Sequence, residues 1–272
     1  MLFIRKIIIV LLIFNSGLCT LGQQLRLSTT SDCATTYYYL GWREIMDLGN
    51  YTNAEAAYRK AVECDSTFLI GWSLLGRISS NQQERKYIRD LIKSQLGDDL
   101  GDEQLLLDVY TALLQLTIMR EEVDSIALKK IYTSTFDLAE KNLKLIAHRY
   151  PDEVYNVSEY IEVVHYVHGA EKALQLIYEL DSIRQHNPFI LGYSSILEAE
   201  RGNFAMAYKK ASFLEKLVPA HVPKSWVVWA HYFLYKNEFQ NALFLARRAL
   251  YLDSGNIDAQ RLEIRLKKLL GL

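Results

Sequence analysis

Glu162, His165 and His168 are the residues whose types and spacing come nearest to chemistry. Glu-x-x-His sets a carboxylate and an imidazole on one helix face, which is half of a di-metal bundle site. Such a site needs a second Glu-x-x-His and further carboxylates, and no second copy occurs in the 272 residues. The sequence also lacks a Gly-x-Ser-x-Gly elbow, a phosphate-cradling glycine loop and a His-Glu-x-x-His zinc helix. The acids between Gly97 and Glu103 lack the ligand alternation of a calcium loop. They suit a helix N-terminus instead, with Asp102 as its cap. The expectation is a protein without catalytic residues, bound metal or cofactor, in which these histidines serve a surface or a packing contact.

The elements that carry them are announced by a repeat. Gly202, Phe204, Ala207, Ala211, Leu214 and Pro219 return 35 positions later as Asn237, Phe239, Ala242, Ala246, Ala249 and Ser254. A fixed period in this range means stacked units that bury a core only against their neighbours. In each unit a small or turn-forming residue closes one helix and an aromatic opens the next. Alanines at i and i+4 then admit a neighbouring helix, and Pro or Ser ends the unit. A further copy reads Gly49-Asn50-Tyr51-Thr52-Asn53-Ala54, with Tyr58, Ala61 and Asp65-Ser66. Trp72, Leu75 and Gly76 supply a matching first half.

This pattern resembles the tetratricopeptide repeat (TPR), a helix-turn-helix of about 34 residues. The resemblance implies an all-α, right-handed α-solenoid of about six helix pairs over 34–272, with Ile257 to Leu270 as a C-terminal capping helix. It weakens over 83–96, where the alanines are missing, and across the stretched helices expected near 102–119 and 124–148. The first unit is one residue longer than the family spacing between Gly41 and Gly49. In this family the first helices of successive units line a concave groove. Carrying those positions over places Tyr38, Trp42, Arg77, Asn81, Tyr155, Glu162, His165, Tyr166, Glu200, His231 and Tyr235 on one wall. The Lys, Asn and Arg clamp of chaperone-binding members is absent, because the first unit offers Tyr38 and Trp42 there.

Composition bounds the rest. Half of the residues are hydrophobic and the formal net charge is −1, so no basic face for nucleic acid is implied. Arg5-Lys6, the apolar run Ile7 to Phe14 and small residues up to Gly22 read as a secretory signal over 1–22, too short to span a bilayer. A lipid anchor on Cys19 is the alternative, disfavoured by Leu18 before it. Residues 23–33 read as a loose polar lead-in. Cys33 and Cys64 fall at neighbouring ends of an antiparallel helix pair, where a disulfide is possible. The preferred expectation is two small buried hydrophobes, since a core of this size needs no staple.

These observations imply a non-enzymatic scaffold, exported to the periplasm, outer membrane or medium. It would bind a protein or peptide in its groove, with no nucleic acid, no evident small-molecule substrate and no transmembrane anchor in the mature chain. A structural subunit of an envelope assembly and a metal-dependent enzyme acting through His165 are the rival readings.

Overall fold

The computed structural model describes residues 24–95, 97, 100–120 and 125–272, and every regular element among them is helical. The expected leader, with Cys19, lies outside the described residues, as does part of the turn expected at 97–101.

Helices α1 (Asp32–Trp42) and α2 (Tyr51–Cys64) form the first antiparallel pair. They are followed by α3 (Leu69–Ile78) with α4 (Gln82–Gln95), α5 (Glu103–Met119) with α6 (Ser125–Arg149), and α7 (Val154–His168) with α8 (Ala170–Glu179). After a single turn, α9 (Ser182–Gln185), come α10 (Pro188–Glu200) with α11 (Phe204–Leu217), α12 (Lys224–Tyr235) with α13 (Phe239–Leu252), and α14 (Ile257–Leu270). Each pair also packs on the next, so the architecture fits an α-solenoid.

The period of 35 has a visible cause. Asn203 N–H bonds Glu198 O and Gly202 N–H bonds Ala199 O; one period on, Glu238 N–H bonds Phe233 O and Asn237 N–H bonds Leu234 O. Both turns are Schellman motifs, and their left-handed residues are Gly202 (φ 80°) and Asn237 (φ 61°), the two types that tolerate that region. Ala207, Ala211, Ala242 and Ala246 are all buried at helix contacts, and Ser195 Oγ reaches Ala207 O at 2.7 Å across one of them.

Where the first unit is one residue too long, residues Arg43–Asp47 form a π-helical turn, with Leu48 N–H bonded to Arg43 O at 3.2 Å. The extra residue is absorbed inside the helix and the loop keeps its length.

Three expectations are corrected. The lead-in is not loose from residue 25 onward: Leu25 is buried, Ser28 donates to the Glu103 carboxylate and Thr29 Oγ1 donates to Asp65. Asp102 does not cap α5 with its side chain, because its carboxylate is taken by Arg149 and by Tyr150 Oη. Cys33 and Cys64 are joined in a disulfide, their Cα atoms 5.8 Å apart, with Cys33 on the surface and not in the core. The antiparallel α1–α2 pair brings the start of one helix beside the end of the other, and that proximity outweighs the argument from core size.

The stack also turns back on itself. Asp253 accepts from Tyr51 N–H at 2.6 Å and from Thr52, Asn256 Nδ2 donates to Gly49 O, and Lys224 N–H donates to Leu48 O at 3.1 Å. Asp47 accepts from Tyr155 Oη at 2.9 Å and from Asn187 Nδ2 at 3.0 Å. Gly49 is required here: its φ is +68°, and a Cβ would sit 3.2 Å from the Lys224 nitrogen. The α1–α2 connection thereby meets the starts of α7, α10, α12 and α14.

Candidate functional site, an interior cavity

Closing the stack turns its inner face into a cavity of about 890 Å³, lined by residues of α1, α2, α3, α5, α6, α7, α10, α12 and α14. Its floor is a buried polar cluster. Arg77 Nη1 donates to Glu159 Oε1 at 2.8 Å and stands 4.8 Å over the Tyr110 ring. Trp42 stacks on Tyr155 at 6.0 Å and meets Tyr58 edge-on at 6.5 Å. The Tyr58 hydroxyl, on a residue only 1% exposed, has no hydrogen-bond partner. An unpaired buried hydroxyl costs about 1–3 kcal/mol, so this one is an exception that needs a reason.

Glu162 sits above the floor on α7. Protein surrounds it, while the cavity keeps its carboxyl open to solvent, and no hydrogen bond or ion pair reaches it. Burial, then the charges of Asp258 and Glu159, push its pKa up to about 8, against smaller opposing pulls from Lys224 and Arg77. At Glu162 the two acids outweigh these two cations, while Arg120 and Arg261 also line the cavity. Lys224 lies across the cavity with its ammonium 4.3 Å from the centre of the Phe189 ring; burial lowers its pKa, against Asp258, Asp47 and Glu162. Tyr51 and Tyr193 complete this wall, with Tyr51 Oη donating to Asp258 at 2.9 Å.

The mouth is aromatic. Phe136 and Tyr166 stack with centroids 3.8 Å apart, Tyr132 continues the stack, and the Arg120 guanidinium stands 4.9 Å over Tyr132. A second, shallower depression of about 500 Å³ adjoins the same three rings from outside.

Of the residues expected on one wall, Trp42, Arg77, Glu162, His165 and Tyr166 do line the cavity. Tyr38 does not: it is buried in the core, edge-on to Phe68 at 5.6 Å. Asn81 sits at the outer end of the second pair and caps α4 through Gln83 and Glu84 N–H. Tyr155 backs the floor from behind Trp42. His165, Glu200 and Tyr235 fall one period apart, at 165, 200 and 235, and are bonded in that order: His165 Nε2 lies 3.1 Å from Glu200 Oε2, which accepts from Tyr235 Oη at 2.8 Å. His165 Nδ1 is held by Tyr193 Oη at 2.6 Å, so both ring nitrogens are engaged. His168 pairs with Glu140 at 2.8 Å, apart from Glu162. His231 packs beside Tyr235 and off the cavity, and burial depresses its pKa to about 4. Among the described residues no group of three or more His, Cys, Asp or Glu is placed to hold a metal ion.

No protein-family model matches this sequence, and no curated protein matches it. The cavity is thus the ground for a functional reading. Tyr51, Tyr58, Glu159, Lys224, Asp258 and Arg261 belong to it and were not expected there. Glu159 was within reach of sequence reasoning, because it precedes Glu162 by three on the same helix face. Lys224 and Asp258 were not, since only closure of the stack brings the first turns of α12 and α14 to α7.

Proposed function

We propose that this chain is an exported tetratricopeptide-like solenoid, right-handed and of about six helix pairs with α14 as cap. It acts without catalysis, by holding a segment of a protein or peptide against its inner face. The observation that carries this reading is the cavity itself: it combines an aromatic mouth, an unpartnered hydroxyl and an unpartnered carboxyl, the lining of a binding site. Export draws support from the Cys33–Cys64 disulfide, which belongs to an oxidising compartment. Among the described residues no helix is long and apolar enough to cross a bilayer.

A second reading, a subunit packed through its outer face, is favoured by Phe213, Phe244 and Tyr251, which are 44%, 69% and 79% exposed on α11 and α13. An enzyme acting through a metal at His165 is disfavoured by the engagement of both its nitrogens.

Tyr166→Ala separates the two binding readings. Tyr166 is 58% exposed at the mouth, so its removal spares the core. Arg77→Ala is a poor probe, because it would strand Glu159 as a buried charge. Quantitative capture from envelope extracts, with thermal melting as the control, should drop by about thirtyfold in affinity if Tyr166 is an anchor worth about 2 kcal/mol. Undiminished capture that Phe244→Ser abolishes would transfer the function to the outer face.

A further inference from the structure

Three features of the cavity converge on one chemistry. The first is Glu162, a carboxyl inside the protein that makes no hydrogen bond and no direct ion pair, with Lys224 and Arg77 acting on it only from a distance. The second is the field around it. Asp258 and Glu159 bear on Glu162 more strongly than Lys224 and Arg77 do, and Arg77 is already engaged by Glu159. Tyr193, on the facing α10, likewise feels Glu162, Glu200 and Asp258. The third is the ring set. Tyr51, Phe189 and Tyr193 line the same wall, and the fold already rests one cation, the Lys224 ammonium, on the face of Phe189. Carboxylate and aromatic faces together are what a desolvated ammonium or guanidinium seeks. The unpartnered Tyr58 hydroxyl supplies a further hydrogen-bonding group deeper in.

We propose that the cavity receives a basic side chain of a peptide, its cationic head held by the Glu162 carboxylate among the rings of Tyr51, Phe189 and Tyr193. The inference rests on the peptide-binding reading and sharpens it. The inner face would select arginine or lysine, with the peptide backbone lying across the aromatic mouth at Tyr166 and Phe136. Free guanidino compounds share that chemistry, so the test separates the two sources.

The probes are acetyl-Ala-Arg-Ala-amide, the same peptide with citrulline for arginine, and free 4-guanidinobutylamine. Each is titrated into the full chain by calorimetry at pH 7, in two buffers of different ionisation enthalpy. The arginine peptide is expected to bind at least tenfold more tightly than the uncharged citrulline peptide. Its binding should release close to one proton, because Glu162 is protonated at pH 7 in the empty protein and must ionise to hold a guanidinium, which keeps its own proton throughout.

The titratable and charged groups lining the cavity with Glu162 are Asp258, Glu159, Lys224, Arg77, Arg261, Arg120, Tyr51, Tyr58, Tyr132, Tyr166, Tyr193 and His165, and the proton release is assigned by its loss in Glu162→Gln. Glu162→Gln removes the proton release and the preference for arginine if Glu162 is the anchor, with melting unchanged or raised. Proton release that survives Glu162→Gln overturns the assignment. Equal affinity for the arginine and citrulline peptides overturns the cation site and leaves the peptide reading standing. Binding of the free compound without the peptide overturns the peptide source, and no binding of either at millimolar concentration overturns the proposal outright.

Discussion

From α1 to α7 the largest fully buried side chains are rings set beside alanines, whereas from α10 to α14 alanines make most of the fully buried contacts and the rings are mostly only partly buried. In the first region Tyr38, Trp42, Tyr58, Phe68 and Tyr110 are all buried in one continuous core. In the second, Ala207, Ala211, Ala242, Ala246, Ala249 and Ala259 occupy the contacts, and the core divides into small clusters. The difference has a consequence for function. Alanine contacts bring backbones close. Large rings hold helices apart, and between α1, α3 and α7 the space they leave is the cavity floor. Alanine packing also tolerates only one spacing, while rings can tilt to fill an uneven gap. The ring-packed region accordingly contains the π turn and the longest helix, α6.

The largest effect that would sharpen this contrast is Phe68→Ala. Phe68 is fully buried against Tyr38, and its truncation should cost about 3–5 kcal/mol in urea unfolding. Hydrogen exchange should speed in α1–α5 and much less in α12–α14. Equal loosening at both ends would mean that the two regions form a single cooperative unit.

Ala207→Leu tests the other region. Overpacking the fully buried contact between α10 and α11 should cost about 1–3 kcal/mol and spare α1–α4. A neutral outcome would show that alanine there does not set the helix spacing.

The smallest effect is on pH, and it has opposite signs in the two regions. Burial raises Glu103 to about 7, against hydrogen bonds from Ser28. A carboxyl raised on folding contributes stability that is present in acid and lost as pH climbs toward 7. Burial depresses His231 to about 4, so its contribution is present above the ordinary histidine range and lost as pH falls toward 4. Glu103→Gln should therefore relieve the alkaline loss, and His231→Phe the acid loss, each on the order of 1 kcal/mol in melting curves at pH 5 and 8.5. The same sign for both variants would break the contrast.

Where alanine packing rules, the sequence was legible. The bounds of α14 were read as they stand in the structure, and Gly202 and Asn237 marked their turns, because one packing distance imposes one period. The ring-packed region was legible only in part. The surplus residue before Gly49 was visible, but only the structure shows it taken up in a π turn, beside which Asp47 is held by Tyr155 and Asn187. Cys33 and Cys64 were correctly placed at adjoining helix ends, and only the structure joins them.

By itself the sequence determined the helical class and the order of the helices. Local hydrogen bonds and side-chain periodicity settle those properties within one repeat length. The tertiary structure alone decided that the inner face closes round into a cavity with an open mouth. Asp253 meets Tyr51 and Asn256 meets Gly49 across more than 200 positions. Contacts so remote depend on small rotations summed over every pair in the stack, and no single repeat encodes that sum.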